Sequence, residues 1–283
     1  MAGAGLIKIK RRIRSVTSTQ KITKAMGLVA TSKLRKLKDK IFANDKYYNS
    51  FKDIVSDAAK SVEEYNIYTD GNKSKKKLFI VLTSDTGLCG GFNANVVNEA
   101  TAKLSEDSDN SLVITVGHKG RMYFRRKNIE AESEFVDISD VPTFQEAETI
   151  AYKALQMFET GQVGEVYVVY TKFITTINQN VLIEKILPLV INEDKSKDHF
   201  ILFEPSIENL INSFAIMEIK QQLLNFLINA KASEQGSRMA AMDGATKNAD
   251  EMLDSLKLKY NRVRQSAITQ EISEIVGGAE AQK

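Results

Sequence analysis

The sequence predicts an α/β protein in which a long antiparallel coiled coil of N- and C-terminal helices joins a central open α/β domain. Three observations carry this expectation: a heptad seam over the first sixty-odd residues, a second one over the last seventy, and a middle third with short β-branched runs. The seams assign residues 1–68 and 206–278 to the coiled coil and residues 77–192 to the α/β domain.

Steps of three and four from Leu6 meet Ile9, Ile13, Val16, Gln20, Thr23, Gly27, Ala30, Leu34, Leu37, Ile41, Asn44, Tyr48, Phe51, Val55, Ala58, Val62 and Tyr65. Most of these are apolar, and the weak positions from Gln20 to Ala30 are small enough to admit a close partner helix. At 1.5 Å per residue the helix is roughly 80 to 90 Å long. A polar, turn-rich linker, YTDGNKSKKK, follows from Tyr68 to Lys77.

The period then changes. Leu78–Leu82, Leu112–Val116, Val166–Tyr170 and Val181–Leu187 read as strands, and Asn95–Leu104, Lys119–Lys127 and Phe144–Phe158 read as helices between them. Strands alternating with helices give an open, Rossmann-like sheet. After a second polar linker, Asn192 to His199, Pro205 suits a first helical turn. The second seam runs through Ile207, Leu210, Phe214 and Met217, then Met239, Met242, Ala249, Leu253, Leu256, Tyr260, Val263 and Ala267. Gly277 and Gly278 are expected to end it. A helix of about 100 Å needs a partner along its length, so the two ends are expected to pair.

Composition narrows the function. Of 283 residues 43% are hydrophobic, enough for a real core. No apolar run approaches the ~18 residues of a membrane span, and the N-terminus has no signal core, so a non-exported chain is expected. One cysteine, Cys89, cannot form an internal disulfide, which suits a reducing compartment. Two histidines, His118 and His199, lie far apart, so neither metal nor cofactor is expected. The net charge of +3 conceals a segment, Lys8 to Lys40, with twelve Lys or Arg and one acid, Asp39. That segment fits a nucleic-acid binder, a transit peptide or a helix facing an acidic protein. It has no aromatic to stack on bases, and its helical pattern runs past any cleavage point.

The first strand ends in SDTGLCGGFNANV, which begins at Ser84. A glycine-rich turn between strand and helix is also how many phosphate sites start. Its glycines, Gly87, Gly90 and Gly91, match neither G-x-G-x-x-G nor a Walker sequence, and no Lys or Arg lies between Ser84 and Val97. No sequence neighbour of Cys89 lowers its pKa, so it reads as a small apolar side chain in a turn. Asp85, beside Thr and Gly, reads as a turn former. No catalytic residue is assigned.

Four stretches together resemble the gamma subunit of F-type ATP synthase: KITKAMGLVATSKLRK from Lys21, SDTGLCGGFNANV, ASEQGSRMAAMDGATKNA from Ala232 and ITQEISEIVGGAEA from Ile268. The resemblance covers the whole chain and implies a rotor shaft, without a catalytic site of its own, that pierces a ring of alpha and beta subunits. It places the middle domain near a membrane-embedded ring of c subunits and the epsilon subunit, on the cytoplasmic face of a bacterial plasma membrane. It further implies that Met26 and Arg238, with Glu234 nearby, meet the beta subunits low on the shaft. Arg264, Gln265, Thr269 and Glu271 would meet them higher up, and Glu204 in FEP would belong to the foot. Each also reads as an exposed helix side chain. The loop would lie beside an acidic C-terminal segment of beta, so that Cys89 could be tethered to a cysteine placed there. Thr86 stands where many relatives have arginine, and Gly236 stands where alanine is common, at about 1 kcal/mol of helix preference. The competing readings are a basic coiled-coil nucleic-acid-binding protein and a nucleotide-binding α/β enzyme.

Overall fold

A computed structural model describes residues 2–60, 65–176, 178–189 and 207–280. The chain runs α1 (Ala2–Lys60), α2 (Ile67–Asp70), β1 (Lys77–Leu82), α3 (Phe92–Ser105), β2 (Ser111–Val116), α4 (His118–Arg126), β3 (Ser133–Phe135), α5 (Phe144–Glu159), β4 (Glu165–Phe173), β5 (Gln179–Leu187) and α6 (Ile207–Glu280). Two compact units result: Met1–Val29 with Met239–Lys283, and Ala30–Arg238.

The larger unit holds one sheet in the order β3-β2-β1-β4-β5. Strands β1 to β4 are parallel, and β5 returns antiparallel to β4. Strand β1 is buried along nearly its whole length because alternate residues enter two cores. Leu78, Ile80 and Leu82 join α5 and the Ala215–Ala230 part of α6. Phe79 and Val81 join Val96, Val97 and Ala100 of α3 and Phe124 of α4. The sheet is therefore covered on both faces. Helix α5 begins with a capping box in which Thr143 and Glu146 exchange hydrogen bonds.

Helix α6 lies between the sheet and α1 in this unit. Ile228 and Ala232 meet Leu34 and Leu37 of α1, while Ile219, Leu223 and Phe226 face the sheet. Nearly every residue of α6 from Glu218 to Gly236 is consequently buried, whatever face it lies on. Polar members find partners: Gln221 Nε2 donates to Asn44 at 2.6 Å, Asn225 Nδ2 to Asp45 at 2.9 Å and Ser233 Oγ to the Thr171 carbonyl at 3.0 Å.

In the smaller unit α1 and α6 run antiparallel. Gln20 donates to Asp250, Thr23 and Thr246 share a hydrogen bond of 2.8 Å, and a Cβ built on Gly27 would lie 3.6 Å from Met242 Cβ. Met242 of the second seam thus packs against Gly27 of the first. Ala249, Leu253 and Ala267 are buried as the second seam requires, and Met217, in the larger unit, is exposed instead.

One element end and one strand depart from expectation. Helix α6 passes through Gly277 and Gly278 to Glu280, and neither glycine takes the left-handed conformation that would close it. A glycine costs a helix only about 1 kcal/mol, which does not by itself stop one. Strand β3 has no counterpart among the expected strands because three residues, Ser133–Phe135, are too few to show a period. The expected end of the first helix near residue 65, the turn at Pro205, the linker that includes His199, and Glu204 fall on or beside residues outside the described set.

Candidate functional site

In the sheet order found, the chain leaves β1 in one direction for β2 and lies beside β4 on the other, so the carboxyl end of β1 is where open α/β sheets bind ligands. The glycine loop occupies that end, and its own side chains fold it. Ser84 N donates to Asn93 Oδ1 at 2.9 Å, Ser84 Oγ to the Thr86 carbonyl at 2.7 Å, and Asn93 Nδ2 to Cys89 Sγ at 3.2 Å. Cys89 lies beneath the loop at 2% exposure, and burial raises its thiol pKa despite the hydrogen bond with Ser84 and the charge of Arg238. It is the small buried side chain the sequence suggested. Leu88, at φ 63° and 61% exposure, is the large apolar residue of the loop that faces outward. The tether expected of Cys89 therefore suits position 88 instead.

Neighbouring turns close on the loop. Gly117 holds φ 95°, and a side chain there would strike the Thr83 carbonyl oxygen at 2.3 Å, so only glycine lets β2 turn into α4 so near β1. Thr83 Oγ1 accepts from Gly120 N at 2.8 Å, and the Ser84 carbonyl accepts from Lys119 N at 2.9 Å. Asp85 is more than a turn former. Its Oδ1 accepts from the backbone N–H of both His118 and Asp137, each at 3.1 Å.

The crevice is filled by α6. Arg238 Nη2 donates to Thr86 Oγ1 at 2.9 Å and to the carbonyls of Thr86 and Gly87 at 3.3 and 3.2 Å, and it pairs with Glu234 at 2.8 Å. Lys231 Nζ lies 3.5 Å from Asp85 and 3.7 Å from Glu234. What remains between Thr83, Ile138 and Lys231 is a cavity of ≈ 10 Å³, room for about one water. A shallower cleft of ≈ 210 Å³ lies between the loop and α4. Lys119 and Arg126 line it, cations that the sequence places thirty residues away and only the fold brings near. It is smaller than the roughly 300 Å³ at which small-molecule pockets begin. Among the described residues no group of His, Cys, Asp and Glu could hold a metal.

The residues singled out by sequence are thus dispersed. Glu234 and Arg238 are buried in the larger unit, not exposed on a helix face. Thr86 supplies an oxygen to Arg238, so its departure from arginine leaves that side chain with a partner. Gly236 has a packing reason, because a Cβ there would approach Gln179 Nε2 to 2.9 Å and the Phe173 ring to 3.4 Å. In the smaller unit Met26 is half-buried, and Arg264, Gln265, Thr269 and Glu271 are exposed, with the apolar Ile268, Ile272, Ile275 and Val276 also exposed beside them. Sequence reasoning missed Lys231, whose only signal was a cation in the otherwise uncharged run between Lys220 and Glu234.

No described helix is long and apolar enough to cross a membrane. The ATP synthase family model matches residues 5–282. The ATP synthase gamma chain of Clostridium kluyveri is 59% identical over 283 residues, all of both chains, and that of Clostridium pasteurianum is 55% identical over 280 residues, 99% of each. Among solved structures, a chain of the central stalk and c-ring of the Tetrahymena thermophila mitochondrial ATP synthase is 26% identical with a TM-score of 0.62, covering 79% of this chain and 99% of that one. A chain from the Euglena gracilis mitochondrial ATP synthase, 17% identical, has the same fold at a TM-score of 0.71, covering 99% and 95%. These matches leave the nucleic-acid reading without support, and with full-length identity far above 30% the chain belongs to the ATP synthase gamma-chain family.

Proposed function

We propose that the chain is the central rotor shaft of a bacterial F-type ATP synthase, a non-catalytic subunit that couples ion flow through the membrane sector to ATP synthesis or hydrolysis in the alpha/beta ring. The observation that carries this reading is a ligand crevice occupied by the chain's own helix α6, which in the smaller unit pairs antiparallel with α1. Such a chain does no chemistry itself. An asymmetric shaft touches three beta subunits differently, giving each a different conformational free energy, so shaft angle becomes differential nucleotide affinity.

In this reading residues 1–68 and 206–278 form the shaft, and residues 77–192 form the shoulder beside the c-subunit ring and epsilon subunit, with Glu204 in the foot. The complex sits peripherally on the cytoplasmic face of the plasma membrane. Exposed Arg264, Gln265, Thr269 and Glu271 suit contact with beta subunits, as does half-buried Met26. Buried Glu234 and Arg238 act through the loop they brace. The basic stretch Lys8 to Lys40 attracts the acidic beta segments, and the apolar end of α6 turns in an apolar sleeve.

The test is a tether. With Leu88→Cys in a Cys89→Ala background and a cysteine in the acidic C-terminal segment of beta, oxidation should stop steady ATP hydrolysis until reductant is added. The control joins Gly27→Cys to Met242→Cys, whose Cβ separation suits a disulfide. That bond lies within the shaft and should leave turnover largely intact. Full turnover with position 88 quantitatively bonded to beta defeats the rotor reading.

A further inference from the structure

We propose that Asp85 and Lys231 are positioning residues of a buried latch that fixes the glycine loop to α6, so that the loop moves only with that helix. The proposal rests on the rotor reading, in which the loop's placement relative to the shaft decides what a beta subunit meets.

Four charges alternate along the latch: Asp85, Lys231, Glu234 and Arg238. Their side chains are 18%, 10%, 4% and 8% exposed, and the formal charges cancel. Buried pairs of this kind add little stability over apolar side chains of the same size, so stability alone is a poor reason for them. What they add is direction. One oxygen of Asp85 holds the first amide of α4 and the amide of Asp137 after β3, while the other faces Lys231. A single carboxylate thereby joins the loop, the two neighbouring turns and α6. Arg238 holds the far side of the loop by a hydroxyl and two carbonyls. The cavity left on the α6 side holds about one water, so the loop cannot close further on the helix, and on its other side, toward the cleft against α4, these contacts are what hold it to α6.

Cys89, the only cysteine of the chain, lies under the loop and reports its opening. The variants are Asp85→Asn, Lys231→Met, the two combined, and Lys231→Arg. Maleimide labelling of Cys89 and thermal midpoints are measured on the purified full chain. ATP-driven ion uptake per ATP hydrolysed is measured on the assembled complex in inverted membrane vesicles. Asp85→Asn and Lys231→Met each leave the four-charge cluster with one uncompensated buried charge, although Lys231 keeps Glu234, and each should lower the midpoint, with labelling about tenfold faster through local opening. The double variant separates positioning from bulk stability. It strands no charge, so its midpoint should return toward the native value, while labelling stays fast and ion uptake per ATP falls at least about twofold. Lys231→Arg should keep all three readouts near native.

A double variant with Cys89 still protected and uptake per ATP unchanged overturns the latch. Should the double variant not assemble, Asp85→Asn combined with Lys231→Gln, which likewise leaves no net buried charge and removes the ion pair, takes its place. Fast labelling with lowered uptake then supports the latch, and native values overturn it. Neither result bears on the Leu88 tether, whose failure to stop turnover would count against the rotor reading itself.

Discussion

Cys89 Sγ and Ser84 Oγ sit 3.7 Å apart in a pocket sealed by Asn93, with no base in contact and a thiol pKa raised by burial. A nucleophile needs the opposite environment. Cys89→Ala should therefore leave ATP hydrolysis by the assembled complex nearly unchanged, and loss of most turnover with assembly intact would contradict this. Glu146 offers a titratable counterpart. Its partial burial opposes ionisation, yet bonds from the amides of Ser139 and Thr143, each at 2.7 Å, outweigh it and lower the carboxyl pKa. A lowered folded-state value means that this group's stabilisation is fully present above the unfolded-state pKa of about 4.3 and is lost as pH falls through the folded value. The stability difference between the native chain and Glu146→Gln should thus be constant near neutrality and shrink below about pH 4. A difference that grows on acidification would reverse the sign argued here.

Helix ends and helix contacts obey the same physics one level up. Thr143 caps α5 by accepting from Glu146 N, and Thr143→Ala should cost about 1 kcal/mol in chemical denaturation of the full chain. In the smaller unit the close pairing of α1 and α6 depends on the missing side chain at Gly27, which leaves space for Met242. Gly27→Leu should overpack that level by about 1 to 3 kcal/mol. An unaltered thermal midpoint of the assembled complex would mean that the two helices do not pack in this register there.

For the molecule as a whole, the fold puts cations near the glycine loop without making a nucleotide site. The crevice at the end of β1 is filled, and the cleft beside it holds only ≈ 210 Å³. Isothermal calorimetry of the full chain with ATP or ADP should show no stoichiometric micromolar binding, and such binding would restore the nucleotide-site reading of the loop.

Periodicity alone determined the long helices, because a seam repeats over many turns and each residue adds to the same signal. Every described member of the α1 seam from Leu6 to Val55 is buried or half-buried. The four longer strands and three longer helices of the sheet were legible for the same reason, since local chemistry sets the period. The antiparallel pairing followed from length, as helices this long require a partner. What only the tertiary structure decided is everything that depends on residues far apart in sequence. The stretch of α6 from Glu218 to Gly236 shows no amphipathic face because α1 covers one side and the sheet the other, so burial there carries no period. Asp85, Lys231 and Arg238 read singly as a turn residue and two helix cations. Their meeting across some 150 residues is set by the strand order and by where α6 crosses the end of β1, a relation that no local pattern encodes.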